Sequence, residues 1–291
     1  MEWKTDWGLR GRMALTMFLL FALYLVFAAV VAAYLGGGAL TMLVFMGGFS
    51  LVQYFFSDRL TLWSMGAKEV SEAEYPELHD AVTRLSRQAD LPKPTVAVTD
   101  SRVPNAFATG RNQSNAVVCV TSGLMRTLDR EELEGVLAHE LAHVKNRDVM
   151  VMTIASFLST LAFIVVRWGW LFGGGDSRNQ APVWVAIVVS LLVWIISFLL
   201  IRALSRYREY TADRGAAMIT GKPSALASAL MKISGQMDKV PKEDLREEAE
   251  MNAFFIIPIN RGFIGRIAST HPPTEKRIER LRDLERELET A

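Results

Sequence analysis

Four apolar stretches constrain the fold of this chain most, because each is long enough to cross a lipid bilayer. They lie at about residues 13–35, 39–56, 149–166 and 183–201. Three glycines join the first two stretches, and a short segment joins the last two, so the pattern predicts two transmembrane hairpins. We do not expect a cleaved signal peptide, because the first stretch is long and a second span follows at once.

The basic residues predict which side of the membrane each hydrophilic segment faces. They precede the first and third stretches and follow the second and fourth, at Lys4, Arg10, Arg12, Arg59, Lys68, Lys145, Arg147, Arg202, Arg206 and Arg208. The turn inside the first hairpin has no charge, and the segment 173–182 inside the second carries only Arg178 and Asp176. Because cytoplasmic segments are enriched in Lys and Arg, both termini and both long hydrophilic segments are expected in the cytosol.

The composition predicts neither a soluble enzyme nor a purely membrane-buried bundle, since 51% of the residues are hydrophobic and 22% are charged. A net charge of +1 gives no reason to expect nucleic acid as a partner. The single cysteine, Cys119, excludes an internal disulfide and is expected in the core. The predicted parts are a transmembrane hairpin, a cytosolic α+β part, a second hairpin and a cytosolic helical part, at residues 1–57, 58–148, 149–201 and 202–291.

Local patterns predict the elements of the two hydrophilic parts. Alternating β-branched residues indicate a strand at 95–99, and two further runs indicate a hairpin of 106–109 with 116–121. Helices are expected from Glu72 or Tyr75 to Ala89 and from Arg130 onward. After the fourth apolar stretch, the chain is expected to be helical through Met218, and a further helix is expected at 223–237. The last helix, from Thr274, has the charge pattern of a solvated amphipathic helix.

The motif with the clearest chemistry is His139-Glu140-Leu141-Ala142-His143. Histidines at positions i and i+4 lie about 40° apart around a helix axis, so both imidazoles can hold one zinc ion. The intervening Glu140 can reach a water molecule bound to that ion and act as general base when the water attacks a peptide carbonyl. Asp129 as N-cap and Glu132 as its capping-box partner are expected to begin this helix.

A catalytic zinc site needs a third protein ligand, and Glu209 is the predicted one. His143 lies six residues before the third apolar stretch and Glu209 eight residues after the fourth, so both are expected about 10 Å from the cytosolic membrane face. Asp213, one helical turn after Glu209, is expected to accept the outer N–H of a ligand histidine. His79 is instead expected to be an exposed surface residue.

Together these residues resemble the HtpX family of membrane-embedded zinc peptidases, relatives of the eukaryotic CAAX prenyl proteases. The resemblance includes the runs 104–110, 208–213 and 269–277. It implies that Asn105, Ala106 and Phe107 lie on an edge strand to which the substrate backbone adds by β-augmentation. It also implies that His271 steadies the tetrahedral intermediate or holds substrate. The family's role implies stress-response degradation of misfolded membrane proteins in a prokaryotic cell membrane.

The sequence therefore predicts an α+β membrane protein with four transmembrane helices and a cytosolic zincin-type metallopeptidase domain. The expected cofactor is one Zn²⁺ per chain, and the expected partners are polypeptide substrates and the lipid bilayer. The sequence gives no oligomeric state.

The main alternative is a non-catalytic, zinc-stabilised membrane scaffold or adaptor. A structural zinc site would be closed by four ligands, commonly cysteines, and this chain has one cysteine. A prenyl-protein protease is expected to have more spans. A site-2-type intramembrane protease would bury the motif inside a span, whereas this motif helix carries many charges.

Overall fold

The computed structural model describes residues 7–35, 44, 47–48, 51, 55, 59, 61–63, 65–152, 155, 183–237 and 271–290. The chain forms two compact units, each built from segments that are distant in sequence. The first, here called the hydrophilic unit, comprises Met1–Thr5, Phe56–Val149 and Ser205–Ala291. The second, here called the apolar unit, comprises Asp6–Phe55 and Met150–Leu204.

The apolar unit contains helix α1, Trp7–Leu35, and the first part of a long later helix, Val183–Thr220. In the part of the chain that the structure describes, one helix, Val188–Thr220, is long and apolar enough to cross a membrane. Large apolar side chains are exposed on both helices, as expected of surfaces that face lipid, namely Leu15, Phe18, Phe21, Leu192 and Leu199. The predicted spans 39–56 and 149–166 lie largely outside the described residues.

The hydrophilic unit is organised around a four-stranded sheet with the order β1-β2-β4-β3. Its strands are β1 (Lys68–Glu69), β2 (Thr95–Thr99), β3 (Ala106–Thr109) and β4 (Val117–Thr121). β2 and β4 run parallel, while β1 and β3 pair antiparallel with β2 and β4 respectively. The predicted strand and the predicted hairpin are confirmed. Among the described residues β3 pairs only with β4, so its other edge is available.

The helix that follows β1, α2 (Pro76–Gln88), packs its apolar face into the core. It begins at Pro76, later than Glu72, because Ser71 and Glu74 hydrogen-bond within a preceding turn. The prediction that His79 is exposed is wrong. His79 is buried on the same face as Leu78 and Val82, and its Nε2 lies 3.0 Å from the Val70 carbonyl oxygen.

The core lies between the sheet and four further helices: α3 (Ser122–Thr127), α4 (Arg130–Lys145), α6 (Pro223–Met237) and α7 (Thr274–Glu289), together with the end of α5 (Val183–Thr220). The capping box predicted for α4 is confirmed, with Asp129 and Glu132 bonded reciprocally. Gly135 lets α4 approach α6 closely, because a Cβ there would lie 2.9 Å from the Leu226 nitrogen. This packing holds the motif helix α4 in the middle of the unit.

Candidate metal centre

Helices α4 and α5 bring His139, His143 and Glu209 together, as the sequence predicts. One ligand atom from each residue lies within 4.8 Å of the others. The Nε2 atoms of the two histidines are 3.2 Å apart. Glu209 Oε2 is 3.6 Å from His139 Nε2, and Glu209 Oε1 is 3.4 Å from His143 Nε2. The three side chains therefore direct their donor atoms toward one point.

The donor set and its spacing fit a tetrahedral ion such as Zn²⁺. Two imidazoles and one glutamate form a known catalytic zinc ligand set, which leaves the fourth position open. Ligands about 2.0–2.1 Å from a tetrahedral ion lie about 3.3 Å from one another, and the distances here are 3.2 to 3.6 Å.

Each of these histidines has a carboxylate against its second ring nitrogen. Asp213 Oδ1 lies 3.0 Å from His139 Nδ1, the position that the sequence predicts for Asp213 beside a ligand histidine. Asp148 Oδ2 lies 2.5 Å from His143 Nδ1. With Nδ1–H donating to a carboxylate, the Nε2 lone pair of each ring faces the metal position.

Asp148 was not predicted from the sequence. It lies just beyond α4, where Arg147 adopts a left-handed backbone conformation with φ of +55°. That turn folds the chain back so that Asp148 reaches the ring of His143. The only sequence signal is an acidic residue five positions after the second histidine. That spacing alone does not predict that the Asp148 side chain turns toward the ring of His143.

Two residues of the C-terminal segment also reach the centre. His271 Nδ1 is 3.1 Å from Glu209 Oε2, so this predicted site residue lies beside a predicted ligand. Arg277, on α7, is 1% exposed. Its Nε and Nη2 donate to the two oxygens of Asp213 at 2.9 and 2.6 Å, and its Nη1 lies 3.3 Å from Glu209 Oε2. No role for Arg277 is predicted from the sequence, since an arginine in a highly charged helix usually lies in solvent.

The Glu140 side chain extends from α4 toward the edge of β3 that is not paired with β4. Its Oε2 accepts a hydrogen bond from the Ala108 backbone N–H at 2.8 Å, so that N–H points away from β4. Burial raises the pKa of Glu140, and the nearby charges of His139 and His143 offset that increase only in part. A carboxylate with a raised pKa accepts a proton more readily, as a general base must.

The other predicted substrate-binding residues lie on or next to β3. Ala106 is buried on the face of the sheet that packs against α4, in the main core. The Phe107 side chain lies on the opposite face, among Met65, Ala97, Val117 and Cys119. Asn105 is fixed just before the strand, where its N–H donates to Thr121 Oγ1 at 2.9 Å.

Comparison with known proteins places this site in a family. The family model Peptidase family M48 matches residues 72–285. Protease HtpX homolog 2 of Methanosarcina mazei is 57% identical over 291 residues, covering 99% of both chains. Protease HtpX homolog of Moorella thermoacetica is 55% identical over 295 residues, covering 98% of this chain and 97% of its own.

A solved structure shares the fold. The crystal structure of S. mikatae Ste24p superposes with a TM-score of 0.56 at 18% identity, covering 94% of this chain and 66% of that one. At this identity the likeness concerns the fold alone. The M48 match and the near-complete HtpX alignments concern the sequence itself. The chain therefore belongs to peptidase family M48, as a membrane metalloprotease of the HtpX type.

Proposed function

We propose that this enzyme is a zinc endopeptidase that cleaves polypeptides at the cytosolic face of the membrane. The observation that carries the proposal is the convergence of His139, His143 and Glu209, at tetrahedral ligand spacing, beside Glu140 and an available strand edge. A scaffold that bound zinc only for stability would need neither the base nor the strand edge. The arrangement therefore favours hydrolysis over a structural role.

The proposed ligands are His139, His143 and Glu209, with Asp213 holding the ring of His139 in the binding tautomer. Zinc held there supplies a Lewis acid that polarises the scissile carbonyl and lowers the pKa of water toward neutrality. Family M48 membership supports dependence on a metal, and the nitrogen and oxygen donors support zinc as that metal.

Glu140 is the proposed general base. It takes a proton from the attacking water as the new C–O bond forms, and it delivers that proton to the amine nitrogen as the C–N bond breaks. Burial keeps the Glu140 carboxylate away from bulk water, and its contact with the Ala108 N–H fixes its position. No nucleophilic serine or cysteine is needed for this chemistry.

The edge of β3 is the proposed substrate-binding strand. An extended substrate that adds to this edge alongside Asn105, Ala106 and Phe107, with backbone hydrogen bonds to Ala106, would run past Glu140. His271 is the proposed donor to the carbonyl oxygen as that oxygen gains negative charge. Its position 3.1 Å from Glu209 supports this role, because it sets the ring beside the predicted metal position.

The membrane arrangement is proposed from the sequence pattern: four spans in two hairpins, with both termini and the active site cytosolic. The proposed division is 1–57, 58–148, 149–201 and 202–291. Glu209 follows the apolar stretch 183–201 by eight residues within one continuous helix, α5. A site so close along the chain to an apolar stretch supports membrane proteins as substrates, and the resemblance to the HtpX family supports misfolded ones among them.

The direct test replaces Glu140 by glutamine in the detergent-purified enzyme. Glu140→Gln is expected to retain zinc and to lose cleavage of casein, because the amide cannot accept a proton. Glu131→Gln, a substitution of an exposed glutamate on the same helix, is the matched control and should cleave normally. Casein cleavage by Glu140→Gln at the wild-type rate would remove Glu140 from the base role.

A further inference from the structure

Asp148 is a buried carboxylate that the proposed mechanism does not use. It is 3% exposed, lies beyond the end of α4, and has its Oδ2 atom 2.5 Å from His143 Nδ1. An ionised carboxylate is costly to bury unless it has partners for both oxygens. The identity of its second partner therefore matters.

That second partner is Arg208 on α5. Arg208 is 8% exposed, and its Nε lies 2.8 Å from Asp148 Oδ1. Its chain neighbour is Glu209, the proposed third metal ligand. Asp148 therefore connects the end of the helix that carries both histidines with the helix that carries Glu209.

A related carboxylate–arginine pair lies beside the other histidine, His139. The His139 ring contacts Asp213, and Asp213 is bonded to Arg277 through both of its oxygens. Each proposed ligand histidine thus has its own carboxylate, and each carboxylate has its own buried arginine from a different helix. An ion pair that served only to hold helices together would not need its carboxylate against Nδ1 of a ligand histidine in both cases.

We propose that Asp148, held in place by Arg208, positions His143 for metal binding. Asp148 accepts the Nδ1–H of His143, which fixes the tautomer and turns the Nε2 lone pair toward the metal position. Arg208, at ion-pair distance from Oδ1, offsets the charge of the buried Asp148 carboxylate. The inference rests on the proposed ligand role of His143, and it makes Asp148 and Arg208 positioning residues.

The test measures the equilibrium affinity for Zn²⁺ of the full-length, detergent-purified protein, by competition with a chromogenic chelator. Asp148→Asn preserves the size of the side chain and removes its charge, and the expected affinity is about 10–100-fold weaker than that of the wild type. Arg208→Gln should also weaken zinc binding, and Arg208→Lys, which retains the charge, should recover part of the loss.

The matched control is Asp129→Ala at the opposite end of α4. Asp129 caps that helix but has no contact with the metal ligands, so the substitution should lower the melting temperature and leave zinc affinity unchanged. An equal loss of affinity in Asp129→Ala and Asp148→Asn would overturn the positioning role, because general loosening of α4 would then explain both results.

His143→Ala separates this inference from the proposed function. Wild-type affinity in Asp148→Asn, together with zinc loss in His143→Ala, would overturn the role of Asp148 and leave the zinc site standing. Zinc binding unaffected by His143→Ala would overturn both. Weak binding in Asp148→Asn, Arg208→Gln and His143→Ala, with normal binding in Asp129→Ala, would support the proposal.

Discussion

At the scale of single residues, charge pairing explains why so many ionisable groups tolerate burial at this centre. Glu209, Asp213 and Arg277 are almost fully buried, and Arg277 lies within ion-pair distance of both carboxylates. Each would be costly to bury alone, whereas the Arg277 guanidinium donates to both oxygens of Asp213 and offsets the charge of Glu209. The ligand set is therefore supported by charges that do not themselves bind the metal.

Arg277 should be needed for stability as well as for the site. Arg277→Gln leaves Asp213 without its cation, and we expect the free energy of unfolding to fall by about 3 kcal/mol. Arg277→Lys keeps the charge and should lose less free energy of unfolding, although lysine cannot form the bidentate contact with Asp213. Thermal unfolding of the chelator-treated protein measures both, and an unchanged melting temperature in Arg277→Gln would contradict this account.

Some of these residues could be predicted from sequence and others could not, for a physical reason. Helical periodicity alone puts His139 and His143 on one face, and it relates Glu209 to Asp213 in the same way. Asp148 depends on a left-handed turn at Arg147, and Arg277 depends on how α7 packs against the rest of the unit. Neither a backbone turn of that kind nor a tertiary contact leaves a periodic pattern in the sequence.

At the scale of elements, a hydroxyl at the end of β4 anchors the residues that lead into β3. Thr121 Oγ1 accepts hydrogen bonds from the N–H groups of Asn105 and Leu124, and it donates to the Val103 carbonyl at 2.8 Å. The same hydroxyl thus caps α3 and anchors the entry to the proposed substrate-binding strand. Removing it would leave two buried N–H groups without an acceptor.

Thr121→Val should therefore destabilise the protein and raise the KM for polypeptide substrates. The expected loss is about 2 kcal/mol, since each orphaned donor keeps its desolvation cost. Thr121→Ser retains the hydroxyl and should restore both stability and KM. Thermal unfolding and steady-state cleavage kinetics measure the two effects, and a KM for Thr121→Val equal to that of Thr121→Ser would refute the anchoring role.

The strands show which parts of the sheet the local sequence pattern predicts and which it does not. Residues 95–99 and the 106–109 and 116–121 hairpin follow from alternation and from the polar turn between the hairpin runs, and the structure confirms them. β1 was not predicted, because two residues, Lys68 and Glu69, are too short to show a period. Its strand character comes from pairing with β2, which is distant in sequence.

At the scale of the whole molecule, the proposed ligands come from two segments that enclose the apolar stretches of the second predicted hairpin. His139 and His143 precede those stretches and Glu209 follows them. If both stretches cross the membrane, the chain returns to the side from which it started, so all three ligands lie on one side. The basic residues indicate that this side is the cytosol. The proposed ligand set therefore requires the predicted topology, in which both ligand segments lie on one side of the membrane.

Reporter fusions test that topology. A reporter that is active only outside the cytosol should be active when fused after Arg178 and inactive when fused after residue 291. The reason is that cytosolic flanks are enriched in basic residues, whereas the segment around Arg178 is not. The opposite labelling pattern would overturn the predicted orientation of the enzyme.

His139, His143 and Glu209 are proposed to hold one ion together, and the zinc content per chain measures whether they do. Elemental analysis of the purified wild-type enzyme should give about one zinc per chain, set by a three-ligand catalytic site. Glu209→Ala, purified in parallel, should retain far less. One zinc per chain in Glu209→Ala, after the same dialysis as the wild type, would contradict the account.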